Sequence, residues 1–238
     1  MLDVDVMAFG AHPDDIELGC GGTLIKLVSM GYSVVLVDMV RGELATRGTV
    51  ETRNEEATKA LQIIGGEARE NLELEDGHVH TNKEAKRRVA RVVRKYRPEF
   101  VFLPYYEDRH PDHYHTSTLA YEGTFLAGLV EYKTGQKSFR PKRLAYYMAW
   151  YEFEPTFIVD ISEQFEQKME AIYAYSTQFK PDDDFYKQTR LTSRGYNWSL
   201  RHRMAYYGSQ IGKKYGEGFL IRGTMEAPDP LKMTFSSF

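Results

Sequence analysis

Cysteine is nearly absent from this chain. Cys20 is the one thiol among 238 residues, so no disulfide can form within the chain. That excludes the disulfide-stapled secreted domains and fits a reducing compartment, with the cytoplasm as the expected location. Net charge is scarce as well: 31 Lys and Arg against 34 Asp and Glu leave −3, which makes no electrostatic case for nucleic acid or an anionic membrane as partner. The basic clusters Lys86-Arg87-Arg88 and Arg201-His202-Arg203 fall in helical patterns and read as solvated faces. No stretch approaches the ~20 apolar residues that span a bilayer. The N-terminus runs straight into a strand carrying Asp3 and Asp5, which is no secretory signal. Repeats, low-complexity tracts and a linker are also missing. Gly19-Cys20-Gly21-Gly22 lacks the G-x-G-x-x-G spacing, which removes a nicotinamide reading.

What is present is an ordinary globular composition, 42% hydrophobic and 27% charged, enough for one sizeable domain over residues 1–238. An apolar run over residues 4–9 breaks at Gly10, a helical stripe follows from Gly21 to Gly31, and residues 33–40 form a second near-continuous apolar strand. Strand, helix and strand in this order form a βαβ unit, which requires a parallel sheet with a right-handed crossover. Further on, the pattern predicts a helix over 50–64, a weak strand over 69–74, and a helix opened by the capping-box sequence Thr81-Asn82-Lys83-Glu84 and closed at Arg97-Pro98. A strand over 100–103 comes next, then a helix from about His113 with Asp112 as a candidate cap. Beyond residue 129 the pattern changes, with strands expected over 144–150, 156–160 and 218–222. Helices are expected from a Ser162 cap to 175 and over 197–214, with a loop at 181–184. The expected fold class is α/β: a Rossmann-like, open, mostly parallel sheet flanked by helices. Its core covers about 1–128, with a small C-terminal α/β elaboration over about 129–238.

Two strand ends carry the chemistry. The first leads into Ala11-His12-Pro13-Asp14-Asp15, and the second into Glu107-Asp108-Arg109-His110-Pro111-Asp112-His113. In a parallel sheet the C-terminal strand ends share one edge, where ligands bind. His12, Asp14, Asp15, Arg41, Arg53, Arg109, His110 and His113 are therefore expected around one cleft. His12, Asp15 and His113 make a metal-ligand set, and two imidazoles with one carboxylate leave a coordination position open, as catalytic zinc requires. The same set accepts iron(II) or another divalent transition metal. Asp14, diverging from Asp15, suits a general base. His110 suits an oxyanion stabiliser or proton donor, with Asp112 orienting its ring. Plainer readings exist for each residue: His12 as a turn residue, Asp14 or Asp15 as a helix cap, His110 and His113 as surface residues. The conjunction of two His-Pro-Asp turns, each just past an apolar strand, favours the metal. His78, His80, His115 and His202 read as solvated, and Cys20 as a small buried residue. The aromatic run Tyr146-Tyr147-Met148-Ala149-Trp150-Tyr151 fits a subunit interface or a buried strand equally well.

At Ala11-His12-Pro13-Asp14-Asp15 and His110-Pro111-Asp112-His113 the chain resembles the LmbE/PIG-L family of zinc-dependent N-acetylglucosamine de-N-acetylases, whose signatures are A-H-P-D-D and H-x-D-H. The likeness runs from residue 3 to about 222. It implies zinc on His12, Asp15 and His113 with Asp14 as base, in agreement with the chemistry above. Residues 105–113, together with Val159-Asp160-Ile161-Ser162, residues 174–179 and residues 215–219, are most similar to the bacillithiol-biosynthesis deacetylases, which act on N-acetylglucosaminyl malate. By the same resemblance Arg53 would contact sugar hydroxyls and Tyr196 would lie over the pocket. Arg109 would suit the malate carboxylates. The resemblance also implies a small N-acetylated sugar as partner, and a homo-oligomer; the alternatives are deacetylation of another acetylated sugar, such as a chito-oligosaccharide or an inositol glycoside, and metal-dependent carbohydrate binding without turnover. The 41–48 segment varies among relatives.

Overall fold

The computed structural model describes residues 3–180, 187–232 and 234. The predicted loop at 181–184 lies outside them. In chain order the elements are β1 (Val6–Gly10), α1 (Asp15–Ser29), β2 (Val34–Val40), α2 (Val50–Ile64), β3 (Ala68–Leu74), α3 (Lys83–Tyr96), β4 (Phe100–Pro104), α4 (Pro111–Ala127), β5 (Arg143–Tyr147), β6 (Phe157–Asp160), α5 (Phe165–Tyr173), α6 (Ser176–Phe179), α7 (Arg194–Gln210) and β7 (Gly216–Leu220). No helix among the described residues is long and apolar enough to cross a membrane.

The seven strands form one sheet in the order β3-β2-β1-β4-β5-β7-β6. The first five run parallel, and β7 is antiparallel to both β5 and β6. The mostly parallel α/β sheet expected from the sequence is what forms. Every residue of β1 and β2 is buried, because helices cover both faces of a parallel sheet; this is why these strands read as continuous apolar runs. One face packs Met7, Phe9 and Val101 against Val89, Val93 and Leu119 of α3 and α4. The other packs Ala8, Leu36 and Phe102 against Ile16, Leu24 and Ile64 of α1 and α2. Strand order reverses between β1 and β4, so a crevice opens beyond their C-terminal ends.

Several boundaries differ from expectation, each for a physical reason. Helix α1 begins at Asp15, six residues before Gly21. Its glycines mark close packing within the helix, not its start: a Cβ on Gly19 would collide with the Tyr147 ring, and one on Gly22 would come within 2.8 Å of Ile161 Cδ1. Helix α3 is capped by Asn82, whose side chain accepts from Ala85 N–H, and not by Thr81. Helix α4 is capped by His110 and not Asp112, with Pro111 at its first position. Ser162 caps nothing. Its Oγ donates to Asp160 Oδ1 (2.7 Å), and α5 starts at Phe165. Helix α7 starts at Arg194 under a Ser193 cap, and β7 begins two residues early, where Gly216 and Gly218 let Ile158, Met148 and Pro155 approach. The 146–148 segment is buried within this chain's own sheet, while Tyr151 is exposed.

A buried ion pair ties the C-terminal elements to α1. Lys168 Nζ reaches Glu217 Oε1 and Leu18 O, and Glu217 also accepts from Gly22 N–H, Thr23 N–H and the Thr23 hydroxyl. Removing one member leaves an uncompensated charge in the interior. Lys168→Met is therefore expected to cost about 3–5 kcal/mol in a urea titration. Adding Glu217→Gln, which removes the charge but keeps an acceptor for Gly22 and Thr23, should restore part of that loss.

Candidate active site

The β1 carboxyl end is locked onto its neighbour before any side chain is considered. Ala11 O accepts both Met39 and Val40 N–H (3.2 and 3.0 Å), which fixes the start of the turn. His12 N–H donates to Asp15 Oδ2 (2.8 Å), closing the turn on itself. Between them Asp14 takes φ 123°, a left-handed backbone that an L side chain rarely adopts. Such strain persists where the surroundings enforce it. Here the enforcing contacts come from α2: Arg53 Nη2 donates to Pro13 O (2.7 Å) and to Asp14 Oδ2 (3.2 Å). Asp14 stands at the N-cap position of α1 but makes no side-chain cap bond, so its carboxylate is left for other work.

Across the crevice, α4 delivers His113 one turn after its cap. The Asp15 carboxylate lies between two imidazoles, Oδ2 3.3 Å from His12 Nδ1 and Oδ1 3.3 Å from His113 Nε2. Candidate ligand atoms of His12, Asp15 and His113 all fall within 4.8 Å of one another. The far nitrogens are engaged too. His12 Nε2 sits 3.2 Å from Asp76 Oδ1 and 3.4 Å from Asp112 Oδ2. His113 Nδ1 sits 3.1 Å from Asp108 Oδ1, a contact closer to an ion pair than to a linear hydrogen bond. Carboxylates behind imidazoles fix tautomer and ring angle in metal centres, and this donor set fits a divalent cation. A second group, His12, His110 and Asp112, also meets the distance criterion, but it must share His12 with the first.

Electrostatics follow from crowding five carboxylates around buried rings. Burial works against a charged His12, yet bonds to Asp112, Asp15 and Asp76 outweigh it and raise its pKa. Burial likewise opposes charge on His113, but Asp15 and Asp108 lift it to about 9. Burial pushes Asp14 up to about 7, with Arg53 pulling the other way. His110 is lowered, by burial first and then by the His12 and His113 charges. The carboxylates thus favour charge on His12 and His113 and not on His110.

The cleft, about 410 Å³, is lined by His12, Asp14, Asp15, Arg53, Arg109, His110 and His113, by the 42–46 segment, and by Trp150 and Arg190. Three expectations change. Arg41 lines a separate cavity behind the turn, beside Asp38 and Arg69. Asp112 does not orient His110: its carboxylate is fully buried and accepts Gly77 and Val79 N–H, while His110 Nδ1 accepts from the Asp112 backbone N–H (3.2 Å). Neutral His110 therefore carries its proton on Nε2. Tyr196 does not line the cleft but packs its ring 5.4 Å from Trp150, which does. Missed from sequence were Asp76, Asp108, Trp150 and Arg190. Asp108 was the legible one, since it stands five residues before a candidate ligand in the same loop.

The model of the PIG-L family, described as GlcNAc-PI de-N-acetylase, matches residues 7–123. The chain is similar to the diacetylchitobiose deacetylase of Thermococcus kodakarensis, 30% identical over 229 residues that cover 90% of this chain and 81% of the relative. Among solved structures, the conserved protein TT1542 of Thermus thermophilus superposes with a TM-score of 0.86 at 34% identity, over 94% of this chain and 98% of the other. The N,N'-diacetylchitobiose deacetylase of Pyrococcus horikoshii superposes with a TM-score of 0.80 at 29% identity, over 91% and 82%.

If Asp108 fixes the His113 ring, Asp108→Ala should weaken divalent-cation binding by roughly 10–100-fold in competition with a chelating dye. An unchanged affinity would mean that packing alone holds the ring.

Proposed function

Because the chain belongs to the PIG-L family of de-N-acetylases, we propose that it hydrolyses the N-acetyl group of an N-acetylglucosaminide, and that N-acetylglucosaminyl malate is its substrate. The observation that carries the hydrolytic reading is the Asp15 carboxylate bridging His12 and His113, with Asp14 held beside it in a strained turn. His12, Asp15 and His113 would hold a divalent cation, for which zinc is the proposed identity. When bound, it supplies a Lewis acid for the acetyl carbonyl and for the attacking water.

The chain's own groups do the rest. Asp14 takes a proton from the water that adds to the acetyl carbon. Arg53, bonded to both Pro13 O and Asp14, keeps that carboxylate aimed and, as part of the cleft lining, would meet the sugar hydroxyls. His110 presents Nε2–H as a hydrogen bond to the developing oxyanion, and the proton that Asp14 took from the water passes to the leaving nitrogen. The carbon–nitrogen bond breaks to give acetate and a free amine. Asp112 acts at one remove, holding the 77–79 backbone and the far side of His12. Tyr196 acts through Trp150. Support for an anionic aglycone comes from Arg109, exposed on the cleft wall. The relatives named for diacetylchitobiose favour a second reading, a neutral disaccharide, on the same machinery. A cytoplasmic homo-oligomer remains part of the proposal, on the single buried cysteine and the resemblance.

Acetate release from N-acetylglucosaminyl malate, diacetylchitobiose and a methyl N-acetylglucosaminide, each with and without chelator, tests this directly. Turnover of the malate conjugate that chelator abolishes is the expected result; turnover of diacetylchitobiose alone would move the assignment to the second reading. Asp14→Asn should lose about 10²–10⁴-fold in kcat while keeping its metal. His113→Ala should lose the metal itself, read by elemental analysis.

A further inference from the structure

One wall of the cleft is built around Trp150, and the structure fixes that residue from both sides. Its N–H donates to Asp108 Oδ2 (2.8 Å), and the adjoining carbonyls of Ala149 and Trp150 accept from Arg203 (2.6 and 3.4 Å). Tyr196 packs against its ring. Over that anchored ring lie two guanidinium groups, with Arg109 Cζ 4.0 Å and Arg190 Cζ 5.0 Å from the centroid. Arg109 comes from the loop after β4 and Arg190 from the segment before α7, so only the folded chain brings them together.

Their charge is uncompensated. Arg53, Arg69 and Arg203 each have a carboxylate partner, whereas among the described residues neither Arg109 nor Arg190 has one. The acidic side chains lining the cleft are all engaged at its floor. Asp14 meets Arg53, Asp15 meets the two imidazoles, and Asp76 meets His12 and Leu44 N–H. Two like charges on one indole, with no counter-charge, are relieved when an anion arrives. Cation–π contact with the ring holds both guanidinium groups at this wall without using up their N–H donors, which are left for a ligand. Each fork matches one carboxylate bidentately.

We propose that Arg190 is a specificity-determining residue that forms, with Arg109 on the Trp150 platform, a clamp for an aglycone bearing two carboxylates. The clamp rests on the hydrolytic reading above for its place beside the sugar, and it adds to that reading the residue that reads the second carboxylate. Arg53 then faces the sugar and the two rim arginines face what the sugar carries.

Calorimetric binding of the deacetylated sugars to the metal-loaded protein tests this without requiring turnover. The wild type should bind glucosaminyl malate at least about 100-fold more tightly than methyl glucosaminide, since each fork contributes roughly 10–100-fold. Arg190→Ala should cut that preference by roughly 10–100-fold, the range of a charge-assisted hydrogen bond. Arg190→Lys should recover only part of it, because a point charge replaces a fork. Preference in Arg190→Ala equal to that of the wild type overturns the clamp, as does a wild type that binds both sugars alike. Acetate release is followed in parallel on the N-acetylated forms. A protein that prefers the dicarboxylate yet releases no acetate keeps the clamp and refutes the hydrolase; one that deacetylates without the preference does the reverse.

Discussion

One carboxylate shared by two imidazoles is the interaction on which the rest of this site depends. Asp15 touches His12 from its own turn and His113 from a helix nearly a hundred residues later. The second contact exists because β1 and β4 are neighbours, with Ala8 beside Phe102. The sheet supplies that adjacency, and helices on both faces keep it dry. The turn itself contains one residue, Asp14, in an unfavourable backbone conformation. Its shape is therefore imposed from outside, by Ala11 O on β2 and by Arg53 from α2.

Behind the two rings stands a second layer of acids that links chemistry to recognition. Asp76 holds His12 with one oxygen and Leu44 N–H with the other, so the 42–46 segment lining the cleft is tied to a candidate ligand by a single side chain. Asp108 does the same on the opposite side, joining His113 to the Trp150 backbone. Each wall is thus linked to an imidazole within two contacts. In the proposed function, an aglycone against Trp150 would rest on the same scaffold that would orient the cation.

Deeper still, charge is neutralised in pairs. Arg69 bonds both oxygens of Asp38 and also reaches Glu17, which accepts the Tyr175 hydroxyl as well. This cluster lies below the Asp14–Asp15 turn and joins β2, β3, α1 and the residue preceding α6. With Lys168–Glu217 it anchors α1, the helix that starts at the Asp14–Asp15 turn, to the late elements of the chain. The C-terminal third of the protein therefore helps set the position of residues near its beginning.

What sequence alone determined was local or periodic. The apolar runs of β1 and β2 and the βαβ order carried the parallel sheet, and the turn composition after β1 and β4 identified His12, Asp14, Asp15, His110 and His113. These signals survive without tertiary information because strand burial and turn chemistry are written in adjacent residues. What tertiary structure decided was everything that depends on who meets whom across the chain. Glycines inside α1 looked like a helix boundary because their partners, Tyr147 and Ile161, are more than a hundred positions away. Asp112 looked like the partner of His110, two residues off, but the first turn of a helix sends its side chain to Gly77 and Val79 instead. Asp76 and Arg190 carried no motif at all, and their roles exist only because the fold sets a turn beside His12 and a late segment beside Trp150.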